Sequence, residues 1–215
     1  MKTRKTLSIS ILLFVYVIQF FIISGCKPDD ERAKNKLVYK PNIYIYPDQN
    51  LQLDVTINFP LGGEIINSIP QYNNCWKINV DTNGLINNEY TYLFYESKQP
   101  DVWQTSKGWI VTASEIESFF RENMDAYGYE GKEIDDFIEY WIPRLNFYKY
   151  YSICPQTIEL IEDVILLDFS REPDHILRLF YLVEGSDIMP EELIEPVIDD
   201  FTRMGYFAVE WGVIL

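Results

Sequence analysis

Leu51, Leu53, Val55, Ile57 and Phe59 alternate with Gln52, Asp54, Thr56 and Asn58. Side chains of a strand point to opposite faces with a period of two. This stretch therefore predicts a strand with one buried and one wet face. Trp76, Ile78 and Val80 repeat the pattern and run into the turn Asp81-Thr82-Asn83-Gly84. Tyr90 to Glu96 is apolar or aromatic on both faces, as in a central strand. Lys40 to Pro47 and Gly108 to Val111 read as short strands.

The period changes at Thr112. Ser114 and Glu117 form a capping-box pattern. Ile116, Phe119, Phe120, Met124 and Tyr127 then follow helical spacing to Gly128. A second helix places Ile134, Phe137, Ile138, Trp141 and Ile142 on one stripe, with Glu133, Asp135, Asp136 and Glu139 on a solvated side, and ends at Pro143. Tyr148 to Cys154 reads as extended. Val164 to Phe169 and Ile176 to Val183 predict a hairpin across Ser170 to Asp174. Val197, Ile198 and Phe201 suggest a short helix with Pro196 in its first turn, stopped at Gly205. Phe207, Val209 and Trp211 form a last strand. The expectation is an α+β fold: a mainly antiparallel sheet, two central helices, and a short helix before the last strand.

The N-terminus carries an address. Lys2, Arg4 and Lys5 precede an apolar run from Leu7 to Ile23, closed by Ser24-Gly25 and followed by Cys26. This order resembles a bacterial lipoprotein signal, which implies lipidation of Cys26 and cleavage just before it. An uncleaved anchor helix is the alternative, although Ser8, Ser10 and Gln19 make the run a mediocre span. The expected layout is signal 1–25, lipidated Cys26 with an acidic flexible tether over 26–39, and a single domain over 40–215. That domain is β-rich over 40–111 and mixed over 112–215. Lys27 stands at the sorting position and is not the aspartate of inner-membrane retention. The expected place is the bacterial cell envelope, at the outer membrane, on its periplasmic or surface face. Asp29-Asp30-Glu31 resembles an export tag of surface lipoproteins and equally suits a solvated spacer.

Removing residues 1–25, which hold three basic side chains and no acid, takes the formal net charge from −15 to −18. Such a surface repels nucleic acid and anionic headgroups, so the membrane contact must come from the acyl chains. The single histidine, His175, leaves no multi-histidine metal centre. No phosphate-cradling glycine loop or nucleophile elbow is present, and no cofactor is expected. With Cys26 acylated, Cys75 and Cys154 are a candidate disulfide in an oxidising compartment.

Four phrases occur in a familiar order: Lys40-Pro41-Asn42-Ile43-Tyr44-Ile45-Tyr46-Pro47, Tyr92-Leu93-Phe94-Tyr95-Glu96, Tyr140-Trp141-Ile142-Pro143 and Val209-Glu210-Trp211-Gly212. Together they resemble a family of uncharacterised secreted bacterial and fungal proteins. Its members open with Lys-Pro-Val-Ile-Tyr-Leu-Tyr-Pro and end on Glu-Trp-Gly. The resemblance covers residues 40–212. It implies one continuous domain and no particular reaction.

Glu96, Glu210 and Arg178 sit inside apolar strands, where an unpaired charge is costly. One reading pairs Arg178 with a glutamate inside the sheet. The other sets Glu96 and Glu210 in one cleft as general acid and base of a glycan hydrolase, with Trp141, Trp211, Tyr95 or Trp103 stacking on sugar rings. The preferred reading is a non-enzymatic, lipid-anchored binding or assembly module for an envelope protein or glycan. Arg178, Trp141 and Trp211 are its candidate binding residues.

Overall fold

The computed structural model describes residues 35–215. Cys26, the expected signal segment and the expected tether as far as Lys34 lie outside the described residues. Ten strands run in chain order: β1 (Asn35–Tyr46), β2 (Leu51–Asn58), β3 (Glu64–Ile69), β4 (Trp76–Val80), β5 (Leu93–Pro100), β6 (Trp109–Thr112), β7 (Tyr150–Gln156), β8 (Leu166–Phe169), β9 (His175–Ser186) and β10 (Phe207–Ile214). Among the described residues there are three helices, α1 (Ile116–Tyr127), α2 (Lys132–Trp141) and α3 (Ile158–Val164), and a 3-10 turn over Ile142–Arg144.

The fold is α+β with a predominantly antiparallel sheet. Seven strands follow the order β3-β5-β1-β10-β9-β7-β6, and three form a smaller sheet, β4-β2-β8. Among the described strands only β9 and β10 pair in parallel. One core fills the space between the sheets, joining Leu53, Val55 and Ile57 to Ile43, Ile45 and Phe180. A second core lies under α1 and α2, joining Phe120, Phe137 and Trp141 to Tyr181, Val209 and Trp211. The large sheet is thus covered on both faces, which is why β10 is buried almost throughout. The small sheet is covered on one, and β2 keeps the alternation seen in its sequence.

Four local expectations are corrected. The strand β1 begins at Asn35, inside the segment expected as tether, because residues 35–38 pair with β5 and Val38 is fully buried. No β8–β9 hairpin forms: Phe169 pairs with Val55 in the small sheet, while β9 lies between β7 and β10. Leu167 and Phe169 suit a one-sided sheet, whereas β9 is buried on both faces, so the two cannot share a hairpin environment. The short helix is α3, ahead of the last three strands, and residues 187–205 have no helix. That strap is pinned by tertiary contacts instead. Gly108 N donates to Ile194 O (2.9 Å), and Arg203 Nη1 donates to Gly128 O (2.9 Å). Finally, the Ser114 hydroxyl faces Thr112 Oγ1 at 3.0 Å and caps no helix; α1 starts at Ile116.

Candidate functional site

Arg178 and Glu210 are register partners on the parallel strands β9 and β10, facing the core between the sheets. Arg178 Nε donates to Glu210 Oε2 at 2.7 Å, and both side chains are fully buried. Tyr95 OH donates to Glu210 Oε1 at 2.9 Å, and Arg178 Nη1 donates to Ile165 O at 2.7 Å. Burial pulls the Arg178 guanidinium down, but Glu210 and Tyr95 more than reverse that, so it stays charged. Burial, with Glu210 second, holds the Tyr95 phenol well above its ordinary value, so it remains a neutral donor. This is a closed ion pair inside the core, with only Arg178 Nη2 left without a partner.

Glu96 does not share it. Tyr95 and Glu96 are neighbours on β5, so their side chains leave opposite faces. Glu96 is half-exposed and accepts a weak bond from Asn67 Nδ2 at 3.4 Å. Two carboxylates on opposite faces of a sheet cannot flank one bond, so the acid–base pair is not assembled. Trp141, Trp211, Tyr95 and Trp103 are all buried and offer no ring to a sugar. Trp211 packs edge-on against Phe137 at 5.2 Å. Cys75 and Cys154 are both free thiols, on β7 for Cys154 and just before β4 for Cys75. Among the described residues, no three His, Cys, Asp or Glu side chains group as a metal centre requires.

Two clusters escaped the sequence reading. Glu133, expected on a solvated helix face, is buried and takes both Arg203 Nη2 (2.7 Å) and Nη1 (3.1 Å). Its partner lies 70 residues away on the strap, a distance no helical period reports. At Lys40, three of the four phrases meet. The Lys40 ammonium lies 5.1, 4.7 and 5.0 Å from the ring centroids of Tyr92, Phe94 and Tyr140. Lys40 holds φ 54°, a left-handed conformation costing roughly 1 kcal/mol, which the cation–π contacts offset. The cluster ties the irregular register of β1 to α2.

The open site lies elsewhere. A groove of about 530 Å³ runs between the end of β2, the edge strand β3 and the loop after it. Asn58, Asn67, Gln71 and Asn74 bring carboxamides to it, and Phe59 and Tyr72 bring half-buried rings. None of its lining side chains carries a charge. The wall is fixed. Tyr72 OH accepts from Ile57 N (2.8 Å), Tyr72 N donates to Ser68 Oγ (2.8 Å), and Tyr72 stacks edge-on against Trp76 at 4.9 Å. A second hollow of about 340 Å³ at the other end of β2 gathers Asn50, Gln52, Asn79 and Asn88, here with the Asp81 carboxylate among them. The one legible trace of the groove is the run Gln71-Tyr72-Asn73-Asn74. Its other members come from separate segments. Comparison of the chain with protein-family models, curated proteins and solved structures finds no match.

Proposed function

We propose that the chain is a non-enzymatic binding module that takes an uncharged saccharide in the groove between β2 and β3. The chemistry of the groove carries this reading. A carboxamide offers two donors and an acceptor, which matches the paired donor and acceptor roles of neighbouring hydroxyls. Half-buried rings supply a flat apolar surface for a pyranose face. The lining side chains carry no charge, and the charges beside them are the Asp168 and Glu96 carboxylates that hold Asn58 and Asn67, so an anionic ligand finds nothing to pair with. A rigid wall also limits the entropy lost on binding.

The place is part of the proposal. The lipoprotein signal ending at Cys26, the acidic body and the resemblance to secreted proteins support a lipid-anchored position in the bacterial cell envelope, at the outer membrane. More than one acyl chain at ~0.8 kcal/mol per buried methylene suffices for stable anchoring. An envelope or extracellular glycan is then the ligand within reach. Mass spectrometry of the native N-terminus is expected to give an acylated cysteine; any other N-terminus removes the placement.

Titration of the detergent-solubilised full chain with cellohexaose, xylohexaose and chitohexaose tests the binding. At least one is expected to bind, and Asn67→Ala with Asn74→Ala is expected to weaken it. Failure of all three at millimolar concentration overturns the reading. A retained protein partner indifferent to groove substitutions replaces it with a protein-assembly role.

A further inference from the structure

One end of the groove is bounded by the turn that joins β2 to β3. Gly62 N donates to Phe59 O at 3.0 Å, and Leu61 at its tip is exposed. Gly62 and Gly63 hold φ of 83° and 149°, where side chains are disfavoured. Gly63 also has no room for one. A Cβ there would stand 2.5 Å from Gln99 Oε1 and 2.8 Å from Gln99 Nε2. The Gln99 amide is therefore covered at this point by bare backbone.

Gln99 and Ser97 lie two apart on β5 and share a face. Both are fully buried. Gln99 Oε1, Gln99 Nε2 and Ser97 Oγ have no hydrogen-bond partner. Buried polar groups are nearly always paired, because an orphan forfeits its hydration. Leucine and alanine at these positions would avoid that loss. The β3–β5 register sets Ile65, part of the groove wall, directly opposite Ser97. Neither residue lines the open groove: Ser97 lies beside its wall residue Ile65, and Gln99 lies under a turn whose two glycines permit backbone rotation.

We propose that Ser97 and Gln99 form an inner subsite of this groove, covered by the Gly62-Gly63 turn. When the turn swings out, the hydroxyls of a terminal sugar residue take the places left open. The Gln99 amide binds a neighbouring pair of hydroxyls as donor and acceptor, and Ser97 Oγ takes a third. The groove then reads the end of a neutral glycan chain. This inference rests on the saccharide reading of the groove.

The test uses the full chain in detergent, the same three hexasaccharides, and Gln99→Leu, Ser97→Ala and Asn67→Ala. Gln99→Leu is expected to melt at or above the parent temperature, since it removes orphaned groups and keeps the volume. Gln99→Leu and Ser97→Ala are expected to weaken binding of the recognised hexasaccharide about tenfold or more, the loss of one good hydrogen-bonding pair. Amide exchange at Leu61 to Glu64 is expected to slow on binding. A fall of several degrees in melting temperature for Gln99→Leu overturns the inference, because the amide is then satisfied in the free protein. Unchanged affinity in Gln99→Leu beside a loss in Asn67→Ala overturns the subsite and leaves the groove standing. No binding by the parent chain overturns both.

Discussion

The two polar regions beside the inter-sheet core are built on opposite terms. The Arg178–Glu210–Tyr95 centre is charged, fully buried and closed by packing. The groove is neutral, open and lined by carboxamides from four separate positions. Burial explains the contrast. A charge inside a sheet survives only if its partner is fixed beside it, so such a group becomes scaffold. Neutral amides cost little when wet, so they can exchange an exposed bond, such as Asn58 Nδ2 to Asp168 or Asn67 Nδ2 to Glu96, for one to a ligand. Charge in an apolar strand was thus a reliable sign of internal pairing and a poor sign of a working site.

Substitutions that cut the closed centre should show the largest effect. Arg178→Ala or Glu210→Ala leaves an unpaired charge in the core and should cost about 3–5 kcal/mol in urea unfolding. Replacing both, as Arg178→Met with Glu210→Leu, should recover most of that loss. A double variant as unstable as either single one would break the view of this centre as scaffold. A smaller loss, roughly 2 kcal/mol, is expected for Glu133→Ala, which removes the nearer carboxylate of the half-buried Arg203 and leaves it Gly128 O and the exposed Glu130. The same variant should expose the strap over 187–205 to limited proteolysis. In the groove the order reverses. Asn67→Ala and Gln71→Ala, both at exposed positions, should shift stability by less than about 0.5 kcal/mol while reducing saccharide affinity. A large destabilisation there would make the groove another piece of scaffold.

The two thiols sharpen the comparison with the least disturbance. Cys75 adjoins the groove residue Asn74, and Cys154 belongs to the inter-sheet core. Burial, with Glu184 adding to it, pushes the Cys154 thiol up to about 11 from 9.0. At pH 8 iodoacetamide should therefore modify Cys75 and spare Cys154, as read by peptide mass. The folded value lies above the unfolded one, so the Cys154 contribution is complete below pH 9 and fades as pH rises toward 11. A Cys154→Ala variant should lose that part of the alkaline dependence.

Several elements were legible because local physics suffices for them. The alternation over Leu51–Phe59 survives in β2, and the stripe from Ile134 to Trp141 survives in α2. Arg178 demanded an internal carboxylate, and Glu210 supplies it. Glu133 misled because its helical neighbours Asp135 and Glu139 are solvated, while the cation that buries it comes from the strap. The strand β8 misled because its length and turn fit a hairpin equally well; the competing partner, β2, lies more than 100 residues earlier.

The sequence by itself determined which segments alternate, which follow a helical period and which charges need company, since each is set by neighbours within a few residues. Tertiary structure alone decided which sheet each strand joined, which glutamate met Arg178, and that Asn58, Asn67, Gln71 and Asn74 face one hollow. Those outcomes depend on pairing between distant segments. Amides left in water pay no burial penalty, so nothing local announces in advance where they meet.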